Sequence, residues 1–274
     1  MPALINMPRA AWKRQPYGPV AINPQWYDRV LMLARGGDFI NLKTAQQQAS
    51  INYTTGVYHN QKCDTKNGSG SSYITENIGG GLNYMFLTVI VFSSLSGIKQ
   101  ILAYDNSNSG FRFFQFRTNG SNLEFITFTS SNVVQSVSLS GAVENTVMTV
   151  CAYASQAQGT FGITHSKNNT IATQSGSFKE WLPSIHCNWF ARRNGIAYVE
   201  EGDHRTAMRA ILRDPGSAAA RLDLVRNPWQ LFAPAPSRFY LIPTAPVLTI
   251  PTLSNPGVTD ITATAARPQV TLTY

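Results

Sequence analysis

Residues 84–166 alternate between short apolar segments and turns, and this alternation constrains the fold more than any other feature of the chain. Met85–Ser93 is a nearly continuous run of apolar and β-branched residues, as expected for a strand buried on both faces. Further strand-like segments follow at turn-punctuated intervals of about ten residues, at 98–104, 111–117, 122–129, 133–139, 145–154 and 159–166. Asn119-Gly120 is a dipeptide typical of a β-hairpin. The pattern predicts an all-β fold, a two-sheet antiparallel jelly-roll sandwich.

A different composition begins after residue 214. Pro215–Arg226 is the best helix candidate, because it is rich in Ala and Leu and because Asp214 or Ser217 can cap its start. Asn227 and Pro228 then end the helix, and Trp229 and Phe232 follow. We expect Asn227, Pro228, Trp229 and Phe232 to form a structural clasp that packs back onto the sandwich.

Prolines at 234, 236, 243, 246, 251 and 256 mark an extended segment after the clasp. The segments 258–264 and 270–274 have strand composition but are too short to bury a core alone. The sequence therefore predicts two regions: a jelly-roll domain with an extended N-terminal segment over 1–232, and a Pro-rich extended arm with a strand-forming end over 233–274.

Charge pattern and apolar segment length argue against nucleic acid and membrane as partners. Charged residues make up 13% of the chain and the net charge is +8. The basic residues are unevenly spread, with no Lys or Arg from Thr118 to Ser166, and no basic run interleaved with aromatics forms a stacking groove for nucleic acid. No uninterrupted apolar segment approaches the ~20 residues needed to cross a bilayer, and no secretory signal is visible at the N-terminus. We expect neither nucleic-acid binding nor membrane insertion.

The residues do not form a recognisable catalytic set. A retaining glycosidase needs two carboxylates about 5 Å apart on one strand face, and the spacing typical of jelly-roll hydrolases is absent. The densest acidic cluster, Glu200-Glu201-Gly202-Asp203, is expected to be a solvated loop, since consecutive strand residues face opposite ways. Nucleophile-elbow and phosphate-loop motifs are also missing. The prediction is a protein that is not an enzyme.

Metal-ligating residues are present only in weak patterns. His59 with Cys63, and His186 with Cys187, have the side chains of a zinc site, but their spacing matches no standard finger or ribbon. The oxygen-rich segment that starts at Asp105 and ends at Gly110 has calcium-type donors, but a plain Asx turn between strands is favoured. We expect no metal and no cofactor, with calcium near Asp105 as the remaining alternative.

Aromatic side chains are the more plausible ligand-binding residues. Tyr104, Trp181, Trp189 and Tyr198 are the candidate ligand-contacting residues, because flat amphipathic rings suit a sugar or a partner protein. The alternative is that most of them belong to the core.

Two stretches resemble a known family. The segment Arg14-Gln15-Pro16-Tyr17-Gly18-Pro19-Val20 resembles the opening of concanavalin A-like (laminin-G-like) jelly-roll proteins of tailed phages and prophages. Arg192-Arg193-Asn194-Gly195, then Arg213, the helix candidate and Asn227-Pro228-Trp229-Gln230-Leu231-Phe232, resemble their ending. The similarity covers residues 10–232 and is sharpest in the last of these motifs.

The resemblance implies a non-enzymatic structural protein of a tailed-phage virion, in the tail tip, a fibre or the capsid surface. Its role would be host adsorption or particle decoration, and its location the virion assembled in the bacterial cytoplasm. Other virion proteins, further copies of this chain in a homo-oligomer, and a host surface glycan are the implied partners. Two alternatives stay open: a polysaccharide depolymerase using carboxylates such as Glu124 or Glu200, and a soluble sugar-binding protein of the same fold.

Overall fold

A computed structural model describes residues 21–67, 73–76, 81, 83–106, 111–168, 170–180, 187–194 and 197–233. All of them belong to the first of two compact units, Met1–Ala235. The predicted N-terminal motif at Arg14–Val20, Trp181, His186 and the arm beyond Ala233 lie outside the described residues. The predicted division into 1–232 and 233–274 therefore stays a prediction.

The described chain is built almost entirely of β-strands. In chain order these are β1 Val30–Arg35, β2 Ile40–Asn41, β3 Gln46–Gln47, β4 Ala49–Ile51, β5 Tyr53–Tyr58, β6 Gln61–Lys66, β7 Tyr73–Glu76, β8 Asn83–Phe92, β9 Ile98–Asn106, β10 Phe111–Asn119, β11 Asn122–Phe128, β12 Val134–Ser140, β13 Val147–Ser155, β14 Thr160–His165, β15 Ala172–Ser175, β16 Cys187–Trp189, β17 Arg192–Asn194, β18 Ala197–Val199 and β19 His204–Arg213. One α-helix, α1 Ala218–Arg226, and two 3₁₀-helices, Pro24–Trp26 and Pro228–Leu231, complete the described elements. None of these helices is long and apolar enough to cross a membrane.

The strands form two main sheets. Sheet 1 has the order β15-β14-β13-β8-β19-β6-β5, with β1 added to β19, and sheet 2 has the order β12-β11-β10-β9-β16-β7-β4, with β17 and β18 attached through β9. Neighbours along both orders pair antiparallel. The predicted all-β antiparallel sandwich is confirmed, and β2 and β3 form a separate small hairpin.

The two sheets enclose an aromatic core. Phe86 of sheet 1 stacks on Phe114 of sheet 2 with ring centroids 4.6 Å apart, and Phe125 of sheet 2 lies 6.4 Å from Phe161 of sheet 1. These rings belong to one buried cluster that includes residues of both sheets. Burial of such large apolar side chains is the main stabilising term in a sandwich of this kind.

The central strands of sheet 1, β8 and β13, are buried on both faces, as the sequence of β8 predicts. Every residue of β13, and every residue of β8 after Asn83, is buried. A second apolar cluster on the far side of sheet 1 combines its strands with α1 and the 3₁₀-helix Pro228–Leu231. The periodicity of two is lost in these strands because both faces of the sheet pack against apolar layers.

An ion pair lies inside the sandwich. Asp64 and Arg209 are both fully buried, with 2.8 Å between Arg209 Nε and Asp64 Oδ2. The Thr206 hydroxyl and the Gly37 N–H also donate to the Asp64 carboxylate at 2.8 Å. The guanidinium lies 5.8 Å from the centre of the Trp189 ring, so the pair spans from sheet 1 towards sheet 2.

The helix begins three residues later than expected. Asp214 and Gly216 have φ angles of 59° and 64°, so a tight turn precedes α1 instead of a first helical turn. Ser217 is the N-cap, and its Oγ accepts a hydrogen bond from the Ala220 N–H at 3.2 Å. Asn227 ends the helix as predicted.

The clasp joins the two ends of the described chain. Trp229 is 8% exposed and Phe232 is 4% exposed, with ring centroids 5.7 Å apart. Phe232 forms a β-bridge with Ile22, and the Ala233 N–H donates to the Ala21 carbonyl at 2.8 Å. Pro228 opens the 3₁₀-helix that carries Trp229, and Asn227 precedes it.

Two local assignments differ from the sequence interpretation. The segment Lys43–Ala49 has the polar composition of a helix or loop, but it contains β3 and the start of β4. Asp105 and Asn106, expected in an Asx turn, continue β9 and pair with Arg112 and Phe111. In both places strand pairing supplies the backbone hydrogen bonds that a local turn would otherwise provide.

Candidate binding site

A polar surface covers the outer side of sheet 2. We call it the polar face, and it comprises the outward-pointing residues of three neighbouring strands: Arg117 and Asn119 of β10, Asn122 and Glu124 of β11, and Ser136, Ser138 and Ser140 of β12. These positions share one side because side chains alternate along a strand, while Phe116, Phe125 and Val137 between them are buried in the core. The strand register places Arg117, Glu124 and Ser138 in one row across the sheet.

An ion pair lies at the centre of the polar face. Arg117 Nε donates to Glu124 Oε2 at 2.9 Å, and Asn119 Nδ2 donates to Glu124 Oε1 at 3.2 Å. The Arg117 and Glu124 side chains retain 17% and 18% of their exposure. The pair is therefore fixed by packing but still reachable from solvent.

Around this pair the surface is uncharged and exposed. Asn119, Asn122, Ser136, Ser138 and Ser140 are all exposed, and each carries an amide or hydroxyl group. Such groups both donate and accept hydrogen bonds, whereas an arginine only donates and a carboxylate only accepts. The polar face thus offers donors and acceptors side by side with no net charge.

A second ion pair is connected to the first through buried amides. Arg117 Nη1 and Gln100 Nε2 both donate to Gln115 Oε1, at 3.2 Å and 3.5 Å. Gln100 Nε2 also donates to Glu200 Oε2, and Arg192 Nη2 donates to Glu200 Oε1 at 2.9 Å. This network extends sideways from the polar face, across β10 and β9, to Glu200 and Arg192.

The acidic cluster at Glu200 is not a solvated loop, contrary to the sequence interpretation. The side chains of Glu200 and Glu201 are 21% and 19% exposed, and Glu201 pairs with Lys66 at 3.2 Å. Glu200 has a φ of 54°, which turns the chain so that these neighbouring carboxylates meet different partners. Arg192, eight residues before Glu200, and Lys66, 135 residues before Glu201, thus turn the expected loop into an ion-paired turn.

The predicted aromatic candidates do not assemble into a site. Tyr104 is 2% exposed and Trp189 is fully buried, and both belong to the core between the sheets. A ring that is closed off from solvent has no face to present to a ligand, so the prediction of ligand contact is wrong for these two residues. Tyr198 lies in β18, at the side of sheet 2 that carries Arg192. Trp181 lies outside the described residues.

The cysteines and histidines are dispersed. Cys63, Cys151 and Cys187 are buried, and burial raises the pKa of the Cys63 and Cys151 thiols to about 12. His59 is exposed on the hairpin between β5 and β6, where its φ is 47°. Within the described residues, no three His, Cys, Asp or Glu side chains are grouped closely enough to hold a metal ion.

Sequence reasoning missed the polar face, although the signal was present. Polar residues recur at every second position in three consecutive strand segments: Arg117 and Asn119, Asn122 and Glu124, then Ser136, Ser138 and Ser140. This alternation predicts one solvated sheet face. Which of these polar residues become neighbours across the sheet depends on the strand register. The hairpin pairing of Asn119 with Asn122 sets the register of β10 and β11.

The fold is an all-β antiparallel sandwich with one short helix, in which sheet 2 presents a polar outer surface. No protein-family model matches the chain, and no curated protein matches its sequence. Among solved structures, it is similar to the binding domain of botulinum neurotoxin serotype D, with a TM-score of 0.55 and 11% identity over 73% of this chain and 52% of that one.

A second serotype gives the same result. The binding domain of botulinum neurotoxin serotype G matches with a TM-score of 0.53 and 10% identity, over 72% of this chain and 50% of that one. This chain therefore spans about half the length of the toxin domains it matches. At such identity the similarity concerns the fold.

Proposed function

We propose that the protein binds a host-surface glycan through the polar face and does so without catalysing a reaction. The observation that carries this proposal is the ion pair between Arg117 and Glu124. The two side chains are mostly buried, Arg117 Nε lies 2.9 Å from Glu124 Oε2, and exposed Asn and Ser side chains surround them. Sugar hydroxyls donate and accept at once, so they pair best with a surface that offers both functions at adjacent positions. The similarity of the fold to the binding domains of two botulinum neurotoxin serotypes also supports a binding role.

A glycan array with matched variants tests this proposal. Glu124→Gln keeps the size of the side chain but removes the acceptor charge, and we expect it to weaken binding of the best array ligand by about tenfold or more, the loss of one charge-assisted hydrogen bond. Asp214→Asn, at the exposed Arg29–Asp214 pair elsewhere on the molecule, is the control. Equal binding by Glu124→Gln and the wild type would contradict the assignment of the polar face.

We further propose that the protein is a structural component of a tailed-phage virion, contributing to host adsorption or particle decoration. The two terminal motifs that resemble phage and prophage proteins support this role. Immunogold electron microscopy of purified particles tests it: label at the tail tip or fibres would support adsorption, and label across the head would support decoration. Particles that remain unlabelled while the epitope is accessible would contradict the virion role.

One observation favours a second candidate, a polysaccharide depolymerase. Glu124 and Glu200, the carboxylates considered from the sequence, belong to one hydrogen-bonded network through Gln115 and Gln100. Yet all four of their carboxylate oxygens already accept a hydrogen bond from a neighbouring side chain. Release of reducing ends from host capsule or lipopolysaccharide, abolished by Glu124→Gln or Glu200→Gln, would support this candidate over the non-enzymatic one.

A further inference from the structure

Strand β12 lies at one end of the described strand order of sheet 2. It is the last strand in the sheet order and pairs along its whole length, Val134–Ser140, with β11 on one side. Four of its seven residues are exposed, and Val133 and Val134 at its start retain 59% and 53% of their exposure. No other described strand pairs with it, so its second edge offers backbone N–H and C=O groups to a further strand, except at Ser140, whose carbonyl lies 3.0 Å from His165 Nε2.

The edge carries none of the usual features that prevent strand addition. Edge strands are normally blocked by charges, prolines, bulges or short length. The sequence Val-Gln-Ser-Val-Ser-Leu-Ser has no charge and no proline, and its pairing with β11 has no register shift. No Lys or Arg occurs anywhere from Thr118 to Ser166.

The other strands at the ends of the two sheet orders are shorter. β4 has three residues, β15 has four and β5 has six, one of which is Gly56, a residue of low strand propensity. Among the four end strands, β12 with its seven residues is therefore the one that offers a partner strand the longest edge.

We propose that β12 pairs antiparallel with β12 of a second copy of this chain, across a twofold axis at Val137. The strand is self-complementary in this register. Val137 faces its own copy, Ser136 faces Ser138 of the partner, and Gln135 faces Leu139 of the partner. The hydroxyl groups then lie together on the outer side, and Val137 with Leu139 extends the apolar inner side.

This pairing has a consequence for the polar face. A twofold axis perpendicular to a sheet keeps the same side of both copies outward, so the two polar faces join into one surface. From strand spacing and rise, the Glu124 side chains of the two copies lie about 15 Å apart. A bivalent glycan surface rests on the proposed function, whereas the dimer itself does not.

Two charge variants of the full-length protein test the dimer. Ser136→Lys with Ser138→Lys places lysines opposite each other across the interface, and Ser136→Glu with Ser138→Lys places opposite charges there. We expect the solution mass by light scattering to be twice 30.1 kDa for the wild type and for the Glu/Lys protein, and 30.1 kDa for the Lys/Lys protein. Thr54→Lys with Val57→Lys adds the same two charges at exposed positions of β5 and should leave the dimer intact.

A covalent test does not depend on the Lys/Lys protein folding. Ser136→Cys with Ser138→Cys brings each thiol opposite its counterpart in the partner, so oxidation should give a disulfide-linked dimer on a non-reducing gel. Thr54→Cys with Val57→Cys should stay monomeric on that gel. A monomeric wild type, a Lys/Lys protein that still dimerises, or equal masses for the Lys/Lys and Glu/Lys proteins would overturn the proposal. None of these measurements involves a glycan, so failure of glycan binding would leave the dimer proposal standing.

Discussion

Asp64 and Arg209 form an ion pair inside the sandwich, where neither side chain reaches solvent. Breaking such a pair leaves one charge buried without its partner, which costs about 3–5 kcal/mol. We therefore expect Asp64→Asn to lower the free energy of unfolding by about that amount. Urea denaturation measures this loss of unfolding free energy. The control is Asp214→Asn, at an ion pair whose side chains are 32% and 69% exposed, and it should change the unfolding free energy by less than about 1 kcal/mol. Similar losses in the two variants would contradict the assigned burial.

His204 makes stability depend on pH. Burial lowers the pKa of its imidazole from 6.5 to about 3, and the ring packs edge-on against Phe92 and Phe190. The unfolded chain takes up a proton near pH 6.5, whereas the folded chain does not until about pH 3. This contribution to stability is therefore complete above pH 6.5 and is lost as the pH falls, by about 1.4 kcal/mol per pH unit.

Substitution of His204 isolates this effect. We expect His204→Phe to flatten the dependence of unfolding free energy on pH between 7.5 and 5.5, because the unfolded chain then binds one proton fewer. Burial also lowers the pKa of His165, but that residue remains in both proteins and cancels in the comparison. His59→Asn, at an exposed position with φ of 47°, is the control. An unchanged slope for His204→Phe would show that His204 is protonated in the folded protein.

At the scale of elements, the clasp connects the two ends of the described domain through Trp229. Truncating a buried tryptophan removes its packing and leaves a cavity, so we expect Trp229→Ala to cost about 3 kcal/mol. Gln230→Ala, which removes only a side-chain hydrogen bond to Asp223, should cost less than about 1 kcal/mol. The shift in the urea midpoint of unfolding distinguishes the two variants. A small effect of Trp229→Ala would mean that the β-bridge between Ile22 and Phe232 closes the domain without the ring.

The strands between residues 83 and 165 could be predicted because their residues alternate or run continuously apolar. β8 reads as apolar throughout since sheet 1 is covered on both faces, and β12 alternates since its outer face meets solvent. The start of α1 was misplaced because propensity does not reveal the left-handed turn at Asp214 and Gly216. Local sequence determines the type of an element better than it determines its ends.

The binding site was harder to predict because it depends on how distant strands meet. Trp189 looked like a ligand platform, yet sheet packing buries it beneath Arg209. Glu200 looked solvated, yet Arg192 and Gln100 bind both of its carboxylate oxygens. Composition identifies which side chains suit a ligand, but the sheet order decides which of them solvent can reach.

For the whole molecule, the dimer and the polar face together predict avidity. On a surface densely coated with the array ligand, a dimer can hold two glycans with sites about 15 Å apart, so its dissociation requires both to release. We expect the monomeric Ser136→Lys/Ser138→Lys protein to dissociate at least about tenfold faster than the wild type from such a surface, measured by surface plasmon resonance. Because Ser136 and Ser138 belong to the polar face, the affinity of both proteins for the free monovalent glycan in solution is measured as well. We expect the loss on the dense surface to exceed any loss in solution, and the dimeric Ser136→Glu/Ser138→Lys protein should restore slow dissociation. Equal losses on the surface and in solution would mean that contact of the serines with the ligand explains the whole effect, and the tighter surface binding would not require a second copy.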